Sequence, residues 1–327
     1  MRPSKTLTLG IIVHVMKRVL LPLFVILGLV GDTANHAITA AITTSPIISS
    51  WLSNISTRAF VQTGDNVMIG GFIVRGTQSK RLIIRALGPE LIPFGITDPL
   101  ADPTLELHDS TGALIASNDN WQHTIIGGII TTDQVRDIES SGYAPADPLE
   151  SAIIADLPAG NYTAIVRGIN NTTGVALVEA DDLSPETSSI LGNISTRAFV
   201  QTGANVMIGG FIVSGTQSKL VMVRAIGPSL AQYGLLDPVA DPTLELHDST
   251  GALIASNDNW PDTIIGGLIT ESQVRDILDS GLAPGNRYES AMIVTLPPGK
   301  YTAILRGVNN TTGVALVEVY DLDPQVL

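Results

Sequence analysis

Apolar and polar residues alternate in short runs along most of this chain, and Gly, Pro, Asn and Asp punctuate the runs. A period of two is the mark of a strand buried on one face. Leu105 and Leu107 point one way while Glu106 and His108 point the other; Tyr162, Ala164 and Val166 alternate likewise with Thr163 and Ile165. The pattern predicts strands over residues 56–62, 66–74, 81–87, 104–108, 113–117, 151–155, 162–167 and 175–180. Gly70-Gly71 interrupts an apolar run and marks a bulge or a close backbone approach. One stretch has helical spacing: residues 132–140 set Val135 and Ile138 three apart, with Thr132 as the N-cap and Gly142 beyond the end.

The whole pattern is written twice. Residues 52–183 return as 191–322 at a constant offset of 139, with about three positions in four identical. Ala101 to Trp121 recurs letter for letter as Ala240 to Trp260. A unit of this length is long enough to close its own core, unlike a solenoid turn or a propeller blade. The expected architecture is all-β: two tandem jelly-roll-like antiparallel β-sandwich domains, each with at most one short helix. Their bounds are 52–183 and 191–327, joined by a linker at 184–190.

Ahead of the first copy, Lys17-Arg18 precedes an apolar run over 19–31, and small residues follow at Ala34, Ala37, Ala40 and Ala41. A basic start, apolar middle and small-residue end describe a secretory signal region, here 1–41 with Met16 as an alternative start and 42–51 as a linker. The run falls short of the roughly 20 residues of a membrane span. The expectation is a secreted, periplasmic or cell-surface protein with no span in the mature chain.

Composition narrows the partners. A net charge of −13 and a pI near 4.6 argue against nucleic acid, which needs a Lys/Arg surface. Cations and basic surfaces are favoured instead. With no cysteine there is no disulfide, thiolate nucleophile or Cys-ligated zinc.

Asp109-Ser110-Thr111-Gly112 has Asp first and Gly fourth, as a type I turn prefers. Closing it pairs His108 with Ala113 and Leu107 with Leu114. Asp102 then falls opposite Asp119, or opposite Asn120 if Gly112 bulges, and Asp241 meets Asp258 or Asn259 likewise. Facing carboxylates repel. A cation would relieve them, since calcium takes six to eight oxygen ligands. The candidate calcium ligands are Asp102, Asp109, Asn118, Asp119 and Asn120, with Asp241, Asp248, Asn257, Asp258 and Asn259 in the second copy, and Glu150 nearby. The competing reading is ordinary turn chemistry, with side chains bonding local amides.

This hairpin, with Ser-Asn-Asp-Asn after it and Leu-Pro-x-Gly-x-Tyr-Thr-Ala-Ile further on, resembles the pre-peptidase C-terminal domains of secreted bacterial proteins. The matching residues are 105–120 with 157–166, and 244–259 with 296–305. The whole unit, opening Asn-Ile-Ser-Thr-Arg-Ala-Phe-Val and closing Gly-Val-Ala-Leu-Val-Glu, is also similar to a repeat module of large exported bacterial proteins. The resemblance implies a jelly-roll-like sandwich, commonly attached to a catalytic domain. It also implies that calcium or matrix proteins are ligands open to this chain, without choosing one.

Trp121 and Trp260 follow the acidic loops, either as stacking surfaces for a sugar or as plugs whose indole N–H finds a carbonyl. Arg58, Arg85 and Arg167, repeated as Arg197, Arg224 and Arg306, are expected to pair with Glu179, Glu150 or Asp182. Catalytic signatures are scarce. His123 becomes Asp262 in the second copy, and neither G-x-S-x-G nor H-E-x-x-H is present. The function expected is non-catalytic, structural, adhesive or binding, with an extracellular protein or polysaccharide as partner. The alternatives are a calcium-dependent glycan- or protein-binding module and a secreted hydrolase using loop carboxylates.

Overall fold

Strand follows strand through residues 50–323, which the computed structural model describes. The signal region and most of the predicted 42–51 linker lie outside the described residues; Ser50 and Trp51 already belong to the first strand. The first copy contributes β1 (Ser50–Val61), β2 (Met68–Arg75), β3 (Lys80–Leu87), β4 (Pro103–His108), β5 (Leu114–Asn118), β6 (Ser151–Leu157), β7 (Gly160–Gly168) and β8 (Gly174–Asp182). The second contributes β9 (Ile190–Val200), β10 (Met207–Gly215), β11 (Lys219–Ile226), β12 (Pro242–His247), β13 (Leu253–Asn257), β14 (Ser290–Leu296), β15 (Gly299–Gly307) and β16 (Gly313–Asp321). Each copy has one short α-helix, α1 (Val135–Ser141) and α2 (Val274–Asp279). Thr132 does not cap α1. The helix starts after Gln134, where the Asp133 carboxylate accepts from the Val135 amide, and it ends on Gly142 in the left-handed region. Among the described residues no helix is long and apolar enough to cross a membrane.

Within the first copy the pairing runs β1-β8-β3-β6 in one sheet and β2-β7-β4-β5 in the other, all antiparallel. That is the strand order of a jelly roll, and the second copy repeats it. Alternation decides what goes inside. Ile55 and Ala59 of β1, Leu82 and Ile84 of β3, and Val178 of β8 face Leu105 and Leu107 of β4 and Ala164 and Val166 of β7.

The two jelly rolls then join edge to edge. β1 pairs antiparallel with β10 of the second copy, and β9 pairs antiparallel with β2 of the first. Two continuous eight-stranded sheets result, each crossing from one copy to the other. They meet where β1 and β9 run parallel, with Leu52 beside Leu191 and Phe60 beside Phe199. Each copy keeps its own two sheets, but the interiors do not stop at the copy boundary: Ile55, Phe72, Ile194 and Phe211 belong to one hydrophobic cluster. The expectation of two separately closed cores is corrected on this point. The cause is edge chemistry, since an open strand edge carries unpaired amides and carbonyls that the other copy satisfies.

Gly70 and Gly71 sit at this seam, paired with Thr196 and Ser195. A Cβ on Gly71 would lie 3.3 Å from the Ser195 carbonyl, and one on Gly70 3.3 Å from Val178. The glycine pair therefore marks a close approach; β2 keeps its register there and shifts only between Ile73 and Val74. Arg58 crosses the seam as well, donating from Nη2 to the Ala204 carbonyl at 2.8 Å, and Arg197 mirrors it on the Asp65 carbonyl at 2.8 Å. Both guanidiniums thus meet a backbone carbonyl of the other copy in place of the expected carboxylate. Burial pulls the Arg58 pKa down to about 10. Arg85 does pair with Glu179 in a buried ion pair, and Arg224 with Glu318 in a partly buried one. Asp182 is taken by Lys80 at 2.6 Å.

The linker is held by side chains. Lys80 Nζ donates to the Ser184 carbonyl at 2.8 Å, the Gln78 amide donates to Ser189 Oγ at 3.0 Å, and Ser189 Oγ donates to the Gln78 carbonyl at 2.6 Å. In the second copy Lys219 occupies the place of Lys80. Its Nζ lies 3.3 Å from the Ser50 carbonyl, 2.8 Å from Asp321 and 3.2 Å from Asp323.

Candidate metal centre

The Asp109 turn forms as its sequence dictates, with the Gly112 amide donating to the Asp109 carbonyl at 3.0 Å and Gly112 at a φ of 81°. The ladder beyond it is shifted. His108 pairs with Leu114 and Leu107 with Ala116, because the left-handed Gly112 and a further irregularity at Ile115 each add a residue. The simple count from the turn therefore fails. Asp102 and Asp119 come together for another reason: buried Ser151 Oγ lies 2.6 Å from the Pro103 carbonyl and 2.7 Å from the Asp119 carbonyl. That hydroxyl ties the start of β4 to the end of β5.

The candidate ligands then divide into two groups. Asp109 is spent on its own turn, where Oδ1 accepts from the Thr111 amide at 2.9 Å, the Thr111 hydroxyl at 2.6 Å and the Ala113 amide at 3.1 Å. The Thr111 hydroxyl, foremost, holds its carboxyl below the usual range. Asp248 does the same with Thr250 and Ala252. Asn118 is spent as well: its Oδ1 accepts from the Ala152 amide at 3.1 Å, and its Nδ2 donates to the His123 carbonyl at 3.1 Å. Asn257 serves Ala291 and Asp262 in the same way. Local turn bonds occupy Asp109 and Asp248, whereas amides 34 residues along the chain occupy Asn118 and Asn257.

Asp102, Asp119 and Asn120 behave differently. Each has its Oδ1 wholly buried and without a hydrogen-bond donor among the described residues, and so do Asp241, Asp258 and Asn259. Burial, and then the charges of Asp119 and Asp147, raise the Asp102 carboxyl above its ordinary value. Burial and Asp258 raise Asp241. Unsatisfied buried oxygens beside like charges are costly, and hard oxygen donors of this kind suit calcium or magnesium. Two carboxylates and an amide are fewer donors than calcium takes, so carbonyls or water would complete the shell. Among the described residues no three His, Cys, Asp or Glu side chains converge in metal-binding geometry.

Glu150 belongs elsewhere. Its Oε1 accepts from the Gly88 amide at 2.9 Å and the Glu90 amide at 2.8 Å, and burial, foremost, pushes it up to about 8, with the Glu90 charge adding to the rise. Trp121 is a plug: it packs on Ile83, Ile138 and Ile154, and its Nε1 donates to the Asp147 carbonyl at 3.1 Å. Trp260 repeats this on the Asn286 carbonyl at 3.1 Å. Both indoles thus spend their N–H on a loop carbonyl. His108 and His247 each lie 3.3 Å from a neighbouring glutamate, Glu106 and Glu245. Arg306 joins the second pair at 2.7 Å, and the His247 hydrogen bond, foremost, brings Glu245 down to about 2. A small cavity lined by Gly70, Phe72, Ile84, Val178 and Thr196 lies inside the sandwich, and none of the loop carboxylates lines it.

No family model matches this chain, and no curated protein does. Among solved structures it is similar to a DUF4785 family protein from Legionella pneumophila, at 9% identity and a TM-score of 0.23, covering 83% of this chain and 82% of that one.

Proposed function

We propose that the protein is an exported, non-catalytic β-sandwich module with an adhesive or binding role outside the cell. One observation supports this above the rest: Ser50, where β1 begins, and Asp323, just past β16, are both held by Lys219. A spacer works by separating its ends. A unit whose ends meet adds little length and projects sideways, as a binding head does. The resemblance to pre-peptidase C-terminal domains points the same way, and the partner it suggests is an extracellular protein or polysaccharide. The purified chain, passed over immobilised polysaccharides and matrix proteins, should be retained by at least one class. Failure to bind any, together with turnover in a broad hydrolase screen that Asp119→Asn abolishes, would replace this reading with the hydrolase.

The second reading, a calcium-dependent binding module, is favoured by the repeated orphan oxygens of Asp102, Asp119 and Asn120 and of Asp241, Asp258 and Asn259. Calcium would supply charge neutralisation there, and these residues would fasten each acidic loop to the sheet. Binding to the native state adds about 2.7 kcal/mol at a hundredfold excess over Kd. The thermal midpoint should therefore rise with calcium, fall with chelator, and lose that response in Asp119→Asn/Asp258→Asn. An unchanged midpoint without heat on titration ends this reading.

A further inference from the structure

The two copies differ at one buried position that bears on how they close. On the outer face of the first copy, Asn54 of β1 and Asp181 of β8 are cross-strand partners, 3% and 4% exposed. Asn54 Nδ2 donates to Asp181 Oδ1 at 2.6 Å. Asp181 Oδ2 and Asn54 Oδ1 are left buried without a donor among the described residues. Both are acceptors when Asp181 is ionised. A single proton on Oδ2 makes that oxygen a donor and supplies what the amide oxygen lacks, closing a two-bond ring between acid and amide.

The surroundings favour that proton. Arg85 of β3 is already paired with Glu179, and it also feels Asp181, Glu90 and Glu150, so one cation serves four carboxyls. Asp182 adds a further negative charge. Tyr143, in the loop after α1, covers the cluster with its ring 5.4 Å from the Arg85 guanidinium, and its carbonyl accepts from Arg85 Nη1 at 2.8 Å. In the second copy Asp181 is replaced by Tyr320 and Tyr143 by Leu282. The Tyr320 hydroxyl donates to Glu318 at 2.7 Å and its ring lies 4.9 Å from Arg224, so a phenol stands beside Glu318 where the first copy has the Asp181 carboxyl.

We propose that Asp181 is protonated in the folded chain and acts with Asn54 as a proton-operated latch, which holds the first copy's β1–β8 junction and its Tyr143 cover closed and which the second copy lacks. Burial first, and the Glu179 charge second, push Asp181 up to about 8. Its folded value therefore lies above its unfolded one. Closure is fully favoured below the ordinary aspartate range, weakens as pH rises toward about 8, and is constant above that.

The test is hydrogen exchange by mass spectrometry on the full chain between pH 5.5 and 8.5, corrected for intrinsic exchange. Residues 135–149 and the β1 and β8 segments should open more with pH, by up to about tenfold per unit below pH 8. Their counterparts at 274–288, β9 and β16 should not. Asp181→Asn, whose amide can make the same ring at any pH, should lower the slope to the part that Glu150 contributes. Asp181→Tyr/Tyr143→Leu, which installs the second copy's own pair, should do so too and gives the readout if the single variant fails to fold. The protonated-carboxyl infrared band near neutral pH should lose one carboxyl's intensity in Asp181→Asn, and what remains belongs to Glu150. Equal pH dependence in both copies, none in the wild type, or an unchanged slope in the variants would overturn the latch.

Discussion

The Thr57 hydroxyl donates to the Thr196 hydroxyl at 2.9 Å, and the two residues occupy the same position in the two copies. Both are wholly buried at the seam, on the inward faces of β1 and β9. Polar side chains in an apolar interior are tolerated when each satisfies the other. Thr57→Val alone strands the Thr196 hydroxyl and should cost about 1–3 kcal/mol. Thr57→Val/Thr196→Val removes both groups and should be nearly neutral. A double-mutant cycle by denaturant unfolding measures the coupling, and additive losses would show that the pair does not act as a unit.

Glu150 gives a second, separate pH effect. Its carboxyl is pushed up to about 8 by burial and by Glu90, where the second copy has Ser229 donating to Glu289 at 2.8 Å. A raised folded value makes ionisation unfavourable to the fold, so this contribution is lost as pH rises from the ordinary glutamate range to about 8. Glu90→Ser should therefore stabilise the chain by about 1 kcal/mol at pH 8 and by less at pH 5. Chemical denaturation at the two pH values reads the difference. A larger gain at pH 5 would have the wrong sign for this account.

Asp102→Asn should change sign with the medium. Without divalent cations it removes a carboxylate raised by burial and then by Asp119 and Asp147, and should stabilise the chain modestly. With calcium present it removes a ligand and should lower the midpoint. Melting curves in chelator and in calcium separate the two cases, and a variant stabilised equally in both counts against a cation at this loop.

Rejoining the chain is expected to be tolerated. Asp323 linked to Ser50 through a copy of residues 184–189, with new ends between the exposed Pro185 and Glu186, recreates at Lys219 the clamp that Lys80 makes. Closing so short a loop alters chain entropy little, so stability should stay within about 2 kcal/mol of the parent. Loss of folding would show that the original linker has a role that its Lys219-side counterpart cannot fill.

Local chemistry was readable where it is local. Alternation in β4 and β7 placed Leu105, Leu107, Tyr162, Ala164 and Val166 inside, and all are buried. The Asp109 turn followed from its four residues. What escaped was set by partners far along the chain. Residues 50–55 carry no strand signal of their own, and they extend β1 because β10 offers its edge. Arg58 finds a carbonyl of the other copy, which no spacing rule encodes. At the candidate centre, Asp119 and Asn118 look alike as letters. Only the fold shows that Asn118 is consumed by the Ala152 amide while Asp119 keeps an unsatisfied oxygen.

The mirrored joint between the copies bears on how the chain arose. Because β1 meets β10 as β9 meets β2, the contact is self-complementary and is closed by two participants. A single-copy ancestor could satisfy that edge by forming a homodimer, and duplication in one gene would then tether partners already adapted to each other. Further duplications would be expected to add modules two at a time, since a third has no matching edge left to take.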